Sequence, residues 1–231
     1  MKFAKAYLPL VALVLVLSGG QVRGAVAYSN LPANPPNYNP TMGSNIYGEN
    51  QDPMMNNTSA GIAMSWVSSQ TGTISSLTLG ITFVAPANGS VNIFLAENPM
   101  NIGPFDVFTS QLLLGQVTTN DQYGTTNSAL TTLTNPAPLP VFSGNTYYLV
   151  VAPADANSRV VWHANLTGAI SSYFFSTDDG VNYTLAGIFD SDALQVDVTA
   201  IPEASTWLTG VLVASVLGLV TVRRVRAKAR Q

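Results

Sequence analysis

Leu77-Thr78-Leu79-Gly80-Ile81-Thr82-Phe83, then Pro86-Ala87-Asn88-Gly89, then Val91-Asn92-Ile93-Phe94-Leu95 is the stretch on which the fold is decided. Its apolar residues fall at 77, 79, 81 and 83, with Thr, Gly and Thr between them, and again at 91, 93 and 95. A period of two puts successive side chains on opposite faces of a sheet, so the pattern predicts two strands, each with a buried face. Pro86-Ala87-Asn88-Gly89 reads as the turn between them, Asn88-Gly89 supplying the positive φ angles of a tight connection. The pair is expected to form a hairpin or a sandwich corner.

Working outward, further strands are predicted over 62–67, 112–117, 147–151, 159–163, 172–175 and 194–198, with Gly, Asn, Asp and Pro in the gaps. Tyr147-Tyr148-Leu149-Val150-Val151 and Val160-Val161-Trp162 are β-branched and aromatic runs, the composition of central strands. No segment between the two chain ends has a helical period. The expected fold is all-β, an antiparallel β-sandwich, and the pattern alone does not separate a jelly roll from an immunoglobulin-like topology. Residues 60–200 are assigned to it. Residues 28–59 are read as an Asn- and Pro-rich leader, interrupted by Pro32, Pro35, Pro36, Pro40 and Pro53, with a short edge strand near Tyr28 or Ile46-Tyr47.

Both chain ends carry export features. Residues 1–27 have the layout of a signal peptide: Lys2 and Lys5, an apolar run over 6–17, then small residues ending in Ala25-Val26-Ala27. Signal peptidase is expected to cut between Ala27 and Tyr28, with a cut after Gly24 as the alternative. At the other end, Ile201-Pro202-Glu203-Ala204-Ser205-Thr206 precedes an uncharged run over 207–222 and a basic cluster over 223–230. As a helix the run is roughly 24 Å long, enough to cross a thin membrane. Arg223, Arg224 and Arg226 act as a stop and mark the cytoplasmic end, which places residues 28–200 on the other side.

The order of these parts resembles the PEP-CTERM sorting signal of exosortase systems in Gram-negative bacteria. Pro202 and Glu203 occupy the first two positions of its signature tripeptide, Ser205-Thr206-Trp207 the polar step into the membrane, and Arg223-Arg224 the basic end. Ala204 stands where the family has a second proline. The resemblance implies a membrane-embedded sorting enzyme of the exosortase type as a partner, and processing near Pro202-Glu203-Ala204. A second resemblance, over residues 60–198, is to the choice-of-anchor domains that precede such tails. It is carried by Gly144-Asn145-Thr146-Tyr147-Tyr148-Leu149-Val150-Val151, by Trp162, and by Val91-Asn92-Ile93-Phe94-Leu95. It implies a jelly-roll-like sandwich in the cell envelope and no particular activity.

Charge and composition exclude several functions. Of the nine basic residues only Arg159 lies in residues 28–200, against eleven acids, a formal charge of about −10. A polyanion is bound through clustered Lys and Arg, so nucleic acid is not an expected partner. Cysteine is absent, which removes disulfides, thiolate catalysis and cysteine zinc sites.

Candidates for chemistry are few. His163, the only histidine, sits beside Trp162 on a predicted strand and reads as structural. Ser176-Thr177-Asp178-Asp179-Gly180-Val181-Asn182-Tyr183 is similar to the Asp-box turn of sialidase-like propellers, a structural hairpin in that family, and occurs here once. Asp178-Asp179 and Asp190-Ser191-Asp192 offer oxygen ligands of the kind calcium takes, yet they match no EF-hand loop and read as solvated turns. Glu97 has no identifiable carboxylate partner for glycoside hydrolysis. The sequons, among them Asn165, are discounted in a bacterial setting. No catalytic residue, metal ligand or cofactor is assigned. The expected function is a noncatalytic exported envelope or matrix protein associated with exopolysaccharide, with a carbohydrate-binding module and then a secreted hydrolase as alternatives.

Overall fold

The alternation that predicts β-structure is visible directly in burial. In the strand Gly72–Leu79, Ile74, Leu77 and Leu79 point inward while Thr73, Ser75, Ser76 and Thr78 are half-buried. The computed structural model describes residues 24–200, apart from 35, 52–57, 98, 103–104, 109–110, 125–129 and 177–181. Numbered in chain order, one sheet runs β1 (Gly24–Ser29), β16 (Leu194–Ala200), β4 (Gly72–Leu79) and β10 (Thr131–Thr134), with β11 (Pro140–Val141) also paired to β4. A six-stranded sheet runs β15 (Thr184–Asp190), β14 (Ile170–Ser176), β3 (Gly61–Val67), β12 (Thr146–Pro153), β6 (Ser90–Ala96) and β9 (Gln111–Thr118). A three-stranded sheet runs β2 (Gly43–Tyr47), β13 (Arg159–His163) and β5 (Ile81–Phe83), and β7 (Pro99–Ile102) pairs with β8 (Phe105–Phe108). These strand pairs are all antiparallel. The only helical element among the described residues is a single 3-10 turn, Glu49–Gln51.

The sheets close on one apolar core, as a β-sandwich-like fold requires. Ile74, Leu77, Leu79, Val196 and Val198 come from the first sheet, Met64, Trp66, Ile93, Leu149 and Val151 from the six-stranded sheet, and Ile46, Val160 and Trp162 from the three-stranded one. The predicted central strands are central: β12 lies between β3 and β6, and β13 between β2 and β5. Trp66 is buried with the rings of Tyr28 and Tyr147 at 5.9 and 5.3 Å. Its indole Nε1 has no hydrogen-bond partner among the described residues.

Three expectations change. The stretch 77–83 is two strands in two sheets, broken at Gly80. A Cβ there would meet Tyr38 Cδ1 at 2.5 Å and Ala193 Cβ at 2.9 Å, so glycine lets the chain pass between them as it leaves one sheet for another. The connection to β6 is accordingly a sandwich corner, since β6 pairs with β12 and β9. Asn88 and Gly89 do not adopt positive φ, and the corner instead carries a cis Ala85–Pro86 bond. Gly89 is needed for space: an added Cβ would lie 2.4 Å from the Thr119 carbonyl oxygen. Finally, the segment read as a leader belongs to the compact unit Gly24–Ala200. It supplies the end of β1 and all of β2, where short strands were expected, and it buries Tyr38 and Ile46, while residues 24–27, read as the end of the signal peptide, form the rest of β1 with Ala27 buried.

Candidate functional site

The residues singled out from sequence do not converge. Pro202, Glu203, Ala204, the 207–222 run and Arg223, Arg224 and Arg226 lie outside the described residues, as do Asp178 and Asp179. Ala27 and Tyr28 lie inside β1. Glu97 follows β6 and is exposed. Asp190 ends β15 on the surface, whereas Asp192, two residues on, is buried at 2% exposure. The expectation of a solvated turn fails for Asp192, whose backbone bridges to Ala164 and whose carboxyl is met by side chains from two other strands.

A polar knot surrounds that carboxyl. Ser44 Oγ on β2 lies 3.3 Å from Oδ1, and the Tyr173 hydroxyl on β14 lies 3.2 Å from Oδ2. Neither neighbour is a cation, so burial dominates and pushes the Asp192 pKa up to about 8, against the lowering effect of the hydrogen bonds to Ser44 and Tyr173. Burial, then the neighbouring carboxyl, holds the Tyr173 hydroxyl well above its ordinary value. Asn30 clamps the adjoining loop: its amide donates to Ser191 Oγ at 2.8 Å and to the Asp192 carbonyl at 2.7 Å, and its Oδ1 accepts from Leu194 N–H at 2.7 Å. Asn165 donates to the Ala169 and Ser191 carbonyls and accepts from Thr167 and Ala169 N–H. At 6% exposure, this sequon asparagine is a loop fastener.

His163 ends β13, and its carbonyl accepts from the N–H of Ala193, the residue after Asp192, at 2.7 Å. Its Nε2 is 2.8 Å from Thr82 Oγ1 and its Nδ1 is 3.0 Å from the Asn39 carbonyl. A carbonyl only accepts, so Nδ1 carries the proton and Nε2 accepts from Thr82. Burial lowers the imidazole pKa, which matches this neutral tautomer. The rings of Tyr38 and Tyr123 lie nearly parallel to the imidazole, at 4.5 and 5.8 Å. Burial, with Asp121 second, pushes Tyr38 up to about 12. A hydroxyl on a histidine whose other nitrogen is held resembles an activated nucleophile. Thr82 and His163 are both buried, however, and substrate needs access. A depression of about 380 Å³ lies elsewhere, lined by Gly48, Glu49, Ala152, Pro153, Ala154, Asp155 and Ala156.

A second aromatic cluster covers the outer face of the six-stranded sheet. Phe108 packs on Phe174 and Tyr183 with the rings edge-on, and Tyr148 packs edge-on against Phe174. Ala63, Ala96 and Val150 lie beneath. These rings bury one another, which is core geometry and differs from an open sugar-stacking platform.

Asn30 and Tyr38 gave no functional signal in sequence because they fall in a proline-broken stretch that looks peripheral, and Asn165 stood out only as a sequon. Among the described residues no group of three or more His, Asp or Glu is placed to hold a metal ion. Compared with known proteins, the chain matches no family model and no curated sequence.

Proposed function

We propose that this chain is a noncatalytic exported protein of the cell envelope or extracellular matrix of a Gram-negative bacterium. In this reading its N-terminal signal peptide is removed by signal peptidase. Its tail is read at Pro202-Glu203-Ala204 by an exosortase-type enzyme while the 207–222 segment sits in the inner membrane. The mature sandwich then reaches the surface, associated with exopolysaccharide.

One observation carries the reading. Gly24 pairs with Thr199 in the β1–β16 ladder, so the first and last described strands are neighbours and the two flanking export segments join the sandwich at one end of one sheet. A globule entered and left at one place suits a cargo held between a leader and a tail. The finer topology, a jelly-roll-like sandwich, is supported by strand order. Eight strands alternate between sheets as β1-β16-β4-β10 and β3-β12-β6-β9, the interleaving of two Greek keys, with β14 and β15 added at the β3 edge. The absence of catalytic activity is supported by the sealed Thr82–His163 pair and by Asp192, whose hydrogen-bond partners are hydroxyls.

Carbohydrate binding is the second reading, favoured by Tyr123, which is 41% exposed while its ring lies parallel to buried His163. A ring so held offers a fixed stacking face. The test of the first reading is export of the full chain in a host with and without the sorting enzyme, followed by fractionation and intact-mass measurement. Loss of the tail only with the enzyme, and a membrane-held precursor for Glu203→Ala, are expected. A retained tail in both hosts, with Glu203 indifferent, reduces the segment to an anchor.

A further inference from the structure

We infer that maturation cuts the Gly24–Ala25 bond and removes only the first residue of β1, so that the mature chain begins at Ala25; this rests on the export reading above. The small residues Ala25-Val26-Ala27 look like a cleavage signal, but they are half of a strand. Ala25 pairs with Val198 and Val26 with Asp197, while Ala27 forms the inward bulge between Val26 and Tyr28 and is fully buried. The Ala27 carbonyl also accepts from Ser69 N–H at 2.8 Å and from Ser69 Oγ at 2.9 Å, which ties β1 to the turn between β3 and β4.

A cut after Ala27 would act on each of these contacts. The C-terminal half of β16 would become an unpaired edge, and Ser69 N–H would lose its acceptor. The new α-ammonium of Tyr28 would replace a peptide nitrogen in the β1–β16 ladder, beside the gap left by the fully buried Ala27, and a charge at a buried edge of the core is costly. A cut after Gly24 removes no side chain from the fold. Gly24 is exposed, and a Cβ added there would meet only the Val198 carbonyl oxygen, at 3.9 Å. Val22 and Gly24 satisfy the demand for small or aliphatic residues at the third and first positions before the cut, and residues 18–24 form a shorter link to the apolar run than residues 18–27 do.

Intact mass and N-terminal sequencing of the full chain exported from a Gram-negative host test this. Ala25 is the expected first residue. A mature chain beginning at Tyr28, or anywhere else, overturns the assignment and leaves the export reading standing, whereas an uncut leader overturns both. Gly24→Leu supplies a second measurement, because its side chain reaches solvent in the fold but blocks a small-residue requirement before the scissile bond. Processing of Gly24→Leu should slow at least tenfold in a pulse-chase experiment. Unchanged processing kinetics and an unchanged mature mass would show that the enzyme reads Ala27.

Discussion

The Tyr173 hydroxyl lies 3.2 Å from a carboxylate oxygen of Asp192, and this pair binds β14 to the loop ahead of β16 without any cation nearby. Asp192 is raised to about 8 by burial, so the folded state holds a proton that the unfolded chain releases near pH 4. A raised pKa contributes stability that is full below the unfolded value and is lost as pH climbs through the folded one, on the order of 5 kcal/mol in all. His163 works in the opposite direction. Its pKa is lowered, so its contribution is full above about 6.5 and falls away below. The two oppose each other between about pH 4 and 6.5, and above that only Asp192 acts. Stability of the protein should therefore fall by about 2 kcal/mol from pH 6.5 to pH 8. Asp192→Asn should abolish that fall, as read by urea denaturation at each pH. An unchanged slope in the variant would contradict the burial argument.

Asn30 is a second test of the same knot. Asn30→Ala removes three short hydrogen bonds and leaves the Leu194 N–H without its acceptor at a buried site, a loss of about 2–4 kcal/mol. The denaturation midpoint should drop accordingly with an unchanged m-value. A change below 0.5 kcal/mol, on the order of an ordinary surface substitution, would mean that the clamp is incidental.

Gly89 separates two reasons for being glycine. If positive φ were the requirement, Asn would be a tolerable replacement. Because the limit is the Thr119 carbonyl oxygen, 2.4 Å from where a Cβ would stand, Gly89→Ala and Gly89→Asn should both cost about 1–3 kcal/mol. Thermal unfolding of the two variants decides it. A milder effect for Asn would restore the turn argument.

For the tail, neutralising Arg223, Arg224 and Arg226 to Gln should weaken membrane retention, since each arginine resists the bilayer centre by about 2.5–3.5 kcal/mol. Ala204→Pro should preserve or raise processing by the sorting enzyme. Fractionation shows the first effect and intact mass the second. Full retention of the triple Gln variant would contradict the stop-transfer role.

Much of the fold was legible because it rests on short-range pattern. The 159–163 prediction coincides with β13, and the 147–151 run lies within β12, since β-branched and aromatic residues in uninterrupted runs have few alternatives. What was not legible depends on partners distant in sequence. β15 carries Leu185, Ile188 and Phe189 outward, so it lacks the in-out alternation that marks a strand. β10 and β11 are too short for a period to register. The 3-10 turn sits amid prolines that look like pure loop, whereas the short strand expected at Ile46-Tyr47 is the end of β2. Asp192 looked solvated because its neighbours in sequence are polar, and its burial is decided by Ser44 and Tyr173, which arrive from other sheets.

The pairing of the first strand with the last also sets the order of events in time. Ala25 meets Val198, so during synthesis β1 waits without its partner until nearly the whole of the described chain has been made. Closing so long a loop comes late and slowly, because chain entropy opposes it before any contact offsets it. On the proposed export route the chain therefore travels with its first sheet still open. The ladder that completes the sheet forms only as residues 195–199 arrive, so the closing of the fold and the appearance of the proposed sorting segment that follows them fall together.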